Sequence, residues 1–199
     1  MNNNNAQSVA NLSVSYTTAA LLFVSLNTAA LEPHQDLNLI APNSLNNITG
    51  IIGVNTAAGD NNIQTNNKSI AIGRNAQAVS KSQLSTQALN NNGVASVRIE
   101  ANTLQNAQGL IGINQVAGSS NLQLNDLTIA LGENSQIISD ISLSVRPATE
   151  ANSAGSENNN NKSFYLDKNS LKGATGTIQI NQIAGNGNIA VNRVSMPIQ

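Results

Sequence analysis

The residues with the clearest chemical potential in this chain are asparagines that recur at fixed offsets around Gly59, Gly118 and Gly185. An asparagine stands four residues before each glycine, another three residues after it and a third seven residues after it. In chain order these are Asn55, Asn62, Asn66, Asn114, Asn121, Asn125, Asn181, Asn188 and Asn192. A carboxamide both donates and accepts hydrogen bonds, so identical amides placed one above another can form a continuous column. The spacing therefore predicts hydrogen-bonded ladders between copies of one unit.

The same three segments keep their apolar residues in register, which defines imperfect 28-residue repeats at 46–73, 105–132 and 172–199. The matched apolar positions are Ile52, Ile111 and Ile178; Val54, Ile113 and Ile180; Ile63, Leu122 and Ile189; Ile72, Leu131 and Ile198. Apolar and polar residues alternate between these positions, which is typical of half-buried strands. Each repeat is therefore predicted to form a strand, an Ala-Gly corner, a second strand and a third short strand such as 127-LTIAL-131.

One such repeat cannot bury its own apolar face, whereas three stacked repeats can. Layers of a parallel stack lie about 4.8 Å apart, so a charged residue would face its own copy and repel it. The repeats accordingly hold five charged residues in 84 positions, and the connectors hold twelve in 70. The predicted fold is all-β, with solenoid or cross-β layers, one layer per repeat and irregular connectors. The nine asparagines, the three glycines and the column Ile63, Leu122 and Ile189 are its predicted stacking surface.

The remaining segments are predicted to be less regular. Residues 31–45 form an N-terminal segment, and the connectors 74–104 and 133–171 share neither length nor pattern. A low-complexity polar run occupies 150–163. Two stretches nevertheless alternate like strands, 94-VASVRIEANTL-104 and 136-QIISDISLSVRP-147, and they would add rungs or lie along the stack. The aromatic pair Phe164 and Tyr165 is interpreted as a local anchor that covers the stack.

The N-terminus carries the apolar run 19-AALLFVSLNTAAL-31, which ends in small residues. We interpret residues 1–30 as a degenerate secretory signal, although residues 1–18 contain no Lys or Arg. The alternative is an early apolar strand or helix. The run is too short to span a bilayer, so no stable membrane insertion is expected.

The composition argues against an enzyme or a nucleic-acid-binding protein. The chain has no cysteine and a single histidine, His34, which leaves too few ligands for a zinc site and no nucleophile–histidine arrangement. Its nine Lys and Arg are scattered, whereas nucleic-acid binding requires them clustered. No phosphate-binding glycine loop occurs. We therefore expect no catalysis, no cofactor and no metal.

The repeat pattern G-x-x-G-[VI]-N-x-x-A-G-x-x-N-x-x-x-N resembles the repeats of the Fap fibre subunits, the functional amyloid of Pseudomonas. The best matching stretches are 53-GVNTAAGDNNIQ-64 and 112-GINQVAGSSNLQ-123. Curli repeats are similar to a lesser degree. The Fap resemblance implies a secreted structural subunit that polymerises outside the cell into fibres supporting biofilm and adhesion. Its implied partners are further copies of itself, related fibre subunits and an outer-membrane export pore.

A second function remains open at this point. The stretch 69-SIAIGRNAQA-78 looks like a head repeat of trimeric autotransporter adhesins, and 128-TIALGENSQI-137 is a weaker echo of it. Both support a solenoid strand followed by a corner. Since an amide ladder can form within one molecule as well as between molecules, the alternative is a monomeric or oligomeric cell-surface β-solenoid adhesin or binding module that does not polymerise.

Overall fold

The computed structural model describes residues 35–88, 93–146 and 162–199, and the regular structure in these ranges consists of strands. In those ranges it contains no apolar helix of membrane-spanning length. The strands are β1 (Gln35–Ile40), β2 (Thr49–Ala58), β3 (Ile63–Ile72), β4 (Asn75–Gln87), β5 (Val94–Ile99), β6 (Gln108–Ala117), β7 (Leu122–Leu131), β8 (Asn134–Arg146), β9 (Lys162–Leu166), β10 (Thr175–Ala184) and β11 (Ile189–Ile198).

The strands pair in parallel to form three layers. One sheet contains β1, β5 and β9, a second β2, β6 and β10, a third β3, β7 and β11, and a fourth β4 and β8. Layer 1 thus comprises β1 to β4, layer 2 comprises β5 to β8, and layer 3 comprises β9 to β11. The predicted all-β fold of stacked layers is confirmed.

Each layer is larger than the 28-residue repeat, because the connectors also contribute strands. The stretches predicted as strands within 94–104 and 136–147 are present as β5 and β8, and both add rungs. The expectation that the connectors share no pattern is wrong. Strands β4 and β8 align over their whole length, from Asn75 opposite Asn134 to Gln87 opposite Arg146. This is the same 59-residue offset that aligns Asn55 with Asn114, so one repeat runs through both.

The third short strand predicted in each repeat does not exist as a separate element. Its residues continue the preceding strand, so that β7 runs without a break from Leu122 to Leu131. No glycine or proline interrupts this stretch, and nothing bends it. The predicted corners are present after Ala58, Ala117 and Ala184, where four residues separate the end of one strand from the start of the next. A second corner at Gly73 separates β3 from β4, as the adhesin-like stretch suggested.

Left-handed residues recur at the same place in each layer. Asn47 (φ 54°) and Asn106 (φ 56°) are matched in layer 3 by Gly173 (φ 72°). These residues lie in the turn segments 42–47, 101–106 and 168–173 between the first two strands of each layer. Asparagine and glycine tolerate this conformation best. Inter-layer bonds such as Asn47 N to Gln105 O, 2.8 Å, and Asn106 N to Lys172 O, 2.9 Å, continue the stack through the turns.

The main core lies between these turn segments and the sheet formed by β2, β6 and β10. Its buried members are Ile40, Ile99, Leu104, Ala107, Ile111 and Ile113. They belong to columns in which the layers above and below supply equivalent apolar residues, such as Ile52 and Ile178 beside Ile111. The core is therefore a set of short apolar columns, and this suits a chain with only four aromatic residues.

Some predictions fall on residues outside the described ranges. These are the secretory signal at 1–30, the segment 31–34 and the low-complexity run up to residue 161. Strand β9 begins at Lys162 and carries the two aromatic residues. Phe164 is 76% exposed and Tyr165 is 41% exposed, so the idea that they cover the stack is wrong for Phe164. Both residues belong to the last layer of the described stack.

Candidate functional site

Two straight columns of asparagine amides run through the three layers. Asn114 Nδ2 donates to Asn55 Oδ1 at 3.0 Å, and Asn181 Nδ2 donates to Asn114 Oδ1 at 3.0 Å. The neighbouring column joins Asn125 Nδ2 to Asn66 Oδ1 at 2.9 Å and Asn192 Nδ2 to Asn125 Oδ1 at 3.1 Å. Strand pairing places all six residues in register. Equivalent asparagine side chains are therefore hydrogen-bonded one above another through the three layers.

The two columns are also bonded to each other within every layer. Nδ2 of Asn66, Asn125 and Asn192 donates to Oδ1 of Asn55, Asn114 and Asn181 at 2.7, 3.0 and 2.9 Å, respectively. In layer 2 both Asn114 and Asn125 are fully buried. A buried amide without partners would destabilise the fold by roughly 1–3 kcal/mol. Here the amides of Asn114 and Asn125 bond the matching amides as well as the backbone oxygens of Thr65 and Ile113.

A third column, formed by Asn62, Asn121 and Asn188, lies at the Ala-Gly corner. Each of its side-chain oxygens below the last layer accepts hydrogen bonds from both the backbone and the side chain of the next asparagine. Asn121 Nδ2 and its backbone N–H both donate to Asn62 Oδ1 at 3.0 Å. Asn188 repeats this on Asn121 Oδ1, at 2.9 Å from its backbone and 3.0 Å from its side chain. The amides reach in the other direction as well, from Asn62 Nδ2 to Gly118 O and from Asn121 Nδ2 to Gly185 O, both 2.7 Å.

The corner glycines meet each other at a separation that leaves no room for a side chain. A Cβ on Gly59 would lie against the carbonyl oxygen of Gly118, and a Cβ on Gly118 would lie against that of Gly185. All three have positive φ, between 96° and 135°. Backbone bonds from Gly118 N to Ala58 O, 3.0 Å, and from Gly185 N to Ala117 O, 2.9 Å, hold the corners together. The positive φ favours glycine at all three corners, and the lack of space requires it at Gly59 and Gly118.

The predicted apolar column begins immediately after the corner. Ile63 aligns with Leu122, and Leu122 aligns with Ile189. Leu122 is fully buried in layer 2, whereas Ile189 is 47% exposed at the layer 3 end. All fifteen residues predicted for the stacking surface thus lie in five columns, each with one member per layer.

Sequence reasoning missed further ladders in the same stack. Gln182 Nε2 donates to Gln115 Oε1 at 2.9 Å, and Gln64 Nε2 donates to Gln123 Oε1 at 2.6 Å. In the connectors Asn134 Nδ2 donates to Asn75 Oδ1 at 2.8 Å. The last of these was detectable, because the 59-residue offset matches Asn75, Gln77, Ser80, Leu84 and Ser85 with identical residues at 134, 136, 139, 143 and 144.

A buried carboxylate, Asp126, was also missed. It is fully buried in β7 and aligns with Asn67 below and Arg193 above. The Ser80 hydroxyl donates to Oδ1, and the Ser139 hydroxyl donates to Oδ2 at 3.0 Å. These serines belong to β4 and β8, so Asp126 ties the third sheet to the fourth. A single aspartate whose counterparts are Asn and Arg leaves no repeat signal in the sequence.

Charged groups beside β9 bond one another at the surface. The Arg98 guanidinium lies 4.8 Å from the centre of the Tyr165 ring and bonds Glu100 at 2.8 Å. The Tyr165 hydroxyl donates to Asp167 Oδ2 at 2.9 Å. The backbone N–H of Asn169 and this hydroxyl lower the pKa of Asp167, and the bond to Asp167 raises the pKa of Tyr165. Elsewhere, burial lowers the pKa of Lys68.

The two ends of the stack present different groups. In the two straight columns, every inter-layer bond runs from an amide nitrogen to an oxygen in the preceding layer. At the layer 3 end, no donor among the described residues reaches Oδ1 of Asn188 or Asn192. The equivalent oxygens of layer 2, on Asn121 and Asn125, each accept bonds from layer 3. The terminal layer therefore repeats the internal pattern but leaves it incomplete.

Comparison with known proteins agrees with this architecture. A family model described as the functional amyloid protein FapB/FapC family matches residues 22–199. The functional amyloid subunit FapC of Pseudomonas aeruginosa is 32% identical over 102 residues. The match covers 47% of this chain and 30% of that protein, so the chain spans less than a third of its relative's length. No solved structure matches the chain.

The family match extends over all three layers and over the connectors that supply β4, β5, β8 and β9. The residues that match the family model therefore include every residue of the amide and glycine columns. The chain belongs to the functional amyloid protein FapB/FapC family.

Proposed function

We propose that this chain is a secreted structural subunit that self-assembles into extracellular amyloid fibres supporting biofilm and adhesion. The observation that carries the proposal is the incomplete amide pattern at the ends of the stack. Asn192 Oδ1 has no donor among the described residues, whereas Asn125 Oδ1, one layer below, accepts from Asn192 and Asn181 at 3.1 Å. A further copy would complete the column without any rearrangement of the chain.

Strand edges that pair with no further strand among the described residues support the same proposal. Natural proteins usually protect such edges with charged residues, bulges or covering elements. Here β2, β3, β10 and β11 end the stack with backbone edges whose side chains are largely amide, hydroxyl and aliphatic. Edges of this kind are templates for adding the next strand in register. In this proposal the stacking residues form both the core of the subunit and the contacts between subunits.

The proposal also covers export and partners. Secretion is supported by the apolar run at 19–31 and by the Fap resemblance, which further implies an outer-membrane export pore and related fibre subunits as partners. A tagged chain expressed in its bacterial host should be found on the cell surface or in the medium. Retention of the intact chain in the cytosol would contradict this part of the proposal.

The test of self-assembly is seeded polymerisation of the purified chain. We expect a lag phase, followed by thioflavin-positive filaments in electron micrographs, and removal of the lag by sonicated fibres of the same chain. Fibres of an unrelated amyloid are the control and should leave the lag unchanged. A chain that remains monomeric by light scattering, with or without its own seeds, would contradict the proposal.

One observation favours the alternative of a solenoid adhesin that does not polymerise. Pro197 lies in β11, opposite Ala130 in layer 2. The backbone N–H groups of Ile63 and Gly73 point from layer 1 to layer 2, and alternate residues of a strand point the same way. The backbone nitrogen of Pro197 thus faces the open layer 3 end. Because proline has no N–H, it supplies no hydrogen-bond donor there. If this single missing donor blocks addition, the chain stays monomeric in the seeding experiment.

A further inference from the structure

We infer that two copies of this chain join head to tail and in register, with layer 3 of one copy lying against layer 1 of the next. Asn181 and Asn192 of the first copy then align with Asn55 and Asn66 of the second. The inference rests on the proposed function, because it specifies the junction through which the fibre would grow. The binding partner of each chain is therefore a second copy of the same chain, which it contacts through the opposite end of the stack.

The direction of the bonds in the two straight columns favours contact between unlike ends. Amide nitrogens of the straight columns donate toward layer 1, from Asn181 to Asn114 and from Asn114 to Asn55. The layer 1 end therefore offers amide donors, and the layer 3 end offers oxygens such as Asn192 Oδ1. Two layer 1 ends would oppose donors to donors, and two layer 3 ends would oppose acceptors to acceptors. Only unlike ends extend these two straight columns, whereas the amides of the corner column donate in both directions.

The corner at Gly73 fits the same junction. A Cβ on Gly132, in layer 2, would overlap the carbonyl oxygen of Gly73 beneath it. A Cβ on Gly73 would project from the layer 1 end in the same direction, and no described atom lies within 4 Å of it. Gly73 also lacks the positive φ that would require glycine. Within one copy, no contact among the described residues requires glycine at position 73. A layer docked beneath Gly73 in register would leave no room for a Cβ, and would therefore require glycine there.

Charge complementarity also supports this junction. Strand pairing places Asp36, Ala95 and Lys162 in one column. The two charged side chains occupy the same corner of their layers. A Cβ on Gly59 would meet Asp36 Oδ2 at 2.8 Å, and a Cβ on Gly185 would meet Lys162 Cδ at 3.4 Å. Within one copy a layer separates them, but at the proposed junction they are about 4.8 Å apart along the stack.

Within one copy, charged residues that face each other on paired strands carry opposite charges. Where two charged residues face each other across adjacent strands, the pairs are Lys81 with Asp140 and Asp126 with Arg193. The proposed junction adds Lys162 with Asp36 and introduces no facing pair of like charge along β9, β10 or β11. It joins three of the four sheets, since the described residues give the fourth sheet only β4 and β8.

Engineered disulfides test the junction directly, because the chain has no cysteine of its own. Thr49 and Thr175 are exposed and belong to one column, separated by Gln108. Within a copy they are two layers, about 10 Å, apart, which is too far for a disulfide; at the junction they would be about 4.8 Å apart, which is within range. The full chain carrying Thr49→Cys and Thr175→Cys is assembled under reducing conditions, and the fibres are then oxidised.

We expect a ladder of covalent oligomers on non-reducing gels, formed at least tenfold more than in the control Thr49→Cys with Thr177→Cys. Thr177 lies on the same strand and face, but two residues out of register. Fibres whose double variant cross-links no better than this control would overturn the inference while leaving self-assembly intact. Cross-linked dimers of Thr175→Cys alone would also overturn it, since they require two layer 3 ends to meet. Absence of fibres from the unmodified chain would instead refute the proposed function.

A charge reversal provides an independent measurement. Lys162→Glu would oppose two carboxylates at every junction, whereas Lys168→Glu changes the same charge at an exposed site of layer 3 that faces no charged residue at the junction. We expect Lys162→Glu to slow seeded elongation at least fivefold at low salt and to recover as salt is raised, and Lys168→Glu to stay within twofold of the unmodified chain. Equal effects of the two variants would contradict the assigned register.

Discussion

Asparagine serves two structural functions in this chain, and they depend on different properties of the residue. At Asn55, Asn114 and Asn181 the amide both donates and accepts along the stack. At Asn47 and Asn106 the residue instead adopts the left-handed conformation, which asparagine tolerates better than most side chains. The first function requires a copy above and below, whereas the second is local. The abundance of asparagine therefore reflects turns as well as ladders.

The corner ladder yields the sharpest prediction at this scale. Asn121→Asp removes the donor to Gly185 O and places a charge in a fully buried site. We expect the free energy of unfolding to fall by roughly 3 kcal/mol or more, because a buried charge without a cationic partner is strongly unfavourable. Fibre formation should slow severely. Urea denaturation and thioflavin kinetics measure the two effects.

The matched control for this change is Asn43→Asp, since Asn43 is exposed and left-handed (φ 60°). Aspartate also tolerates that conformation, so stability should change by less than about 0.5 kcal/mol. Assembly of both variants at the rate of the unmodified chain would contradict the role of the corner ladder.

Replacing Pro197 is expected to favour assembly, which is the opposite of the effect expected for Asn121→Asp. Pro197→Ala restores a backbone donor at the layer 3 end, and one added hydrogen bond per junction contributes about 1 kcal/mol. The concentration of free chain that remains after assembly should fall about fivefold. Ser195→Ala is the control, because Ser195 points its N–H the same way and keeps it. An unchanged or raised residual concentration for Pro197→Ala would show that this edge is not where copies add.

Columns could be predicted at the residue level where one residue type recurs in all three repeats. The nine asparagines and three glycines could be found from the sequence because a column needs the same residue in every layer. Asp126 could not be found in this way, since its partners Ser80 and Ser139 come from strands of another sheet. Such contacts depend on how the sheets face each other, and no spacing along the chain records that.

At the scale of elements, register is set by the columns and not by individual strands. A one-residue slip of β6 against β2 would move Asn114 away from Asn55 and separate the corner glycines, whose backbones are bonded across layers. It would also turn the apolar residues of the slipped strand to the opposite face. The connectors follow the same register, but their sequences differ more and conceal it. Strands β4 and β8 were therefore harder to predict than β2, β3, β6 and β7.

A pair of glycine substitutions tests the layer spacing at the second corner. Gly132→Ala would force its Cβ into the carbonyl oxygen of Gly73, and relieving that overlap requires the layers to separate. We expect a loss of about 1–3 kcal/mol in unfolding free energy. Gly73→Ala should leave the stability of the isolated chain almost unchanged. Denaturant midpoints of the unassembled chain measure both, and similar midpoints for the two variants would contradict the spacing described here.

At the scale of the whole molecule, the stack tolerates insertions between layers. Layers 1 and 2 are offset by 59 residues and layers 2 and 3 by 67, and the eight extra residues fall between β8 and β10. Deleting residues 152–159 would make the two offsets equal. The free-energy cost of closing a loop depends only weakly on its length. We therefore expect the equilibrium constant for folding and the rate of assembly each to change by less than twofold. A variant that no longer folds would show that this segment contributes to the stack.

The three layers are not equivalent, because the fourth sheet has strands in layers 1 and 2 but, among the described residues, none in layer 3. A fibre of stacked copies should therefore repeat every three layers, about 14 Å, in addition to the spacing of about 4.8 Å between strands. Fibre diffraction from aligned filaments measures both spacings directly. Stacking in register predicts meridional reflections near 4.8 and 14 Å. A strand reflection without the longer repeat, together with a mass per length of one chain per 4.8 Å, would contradict it.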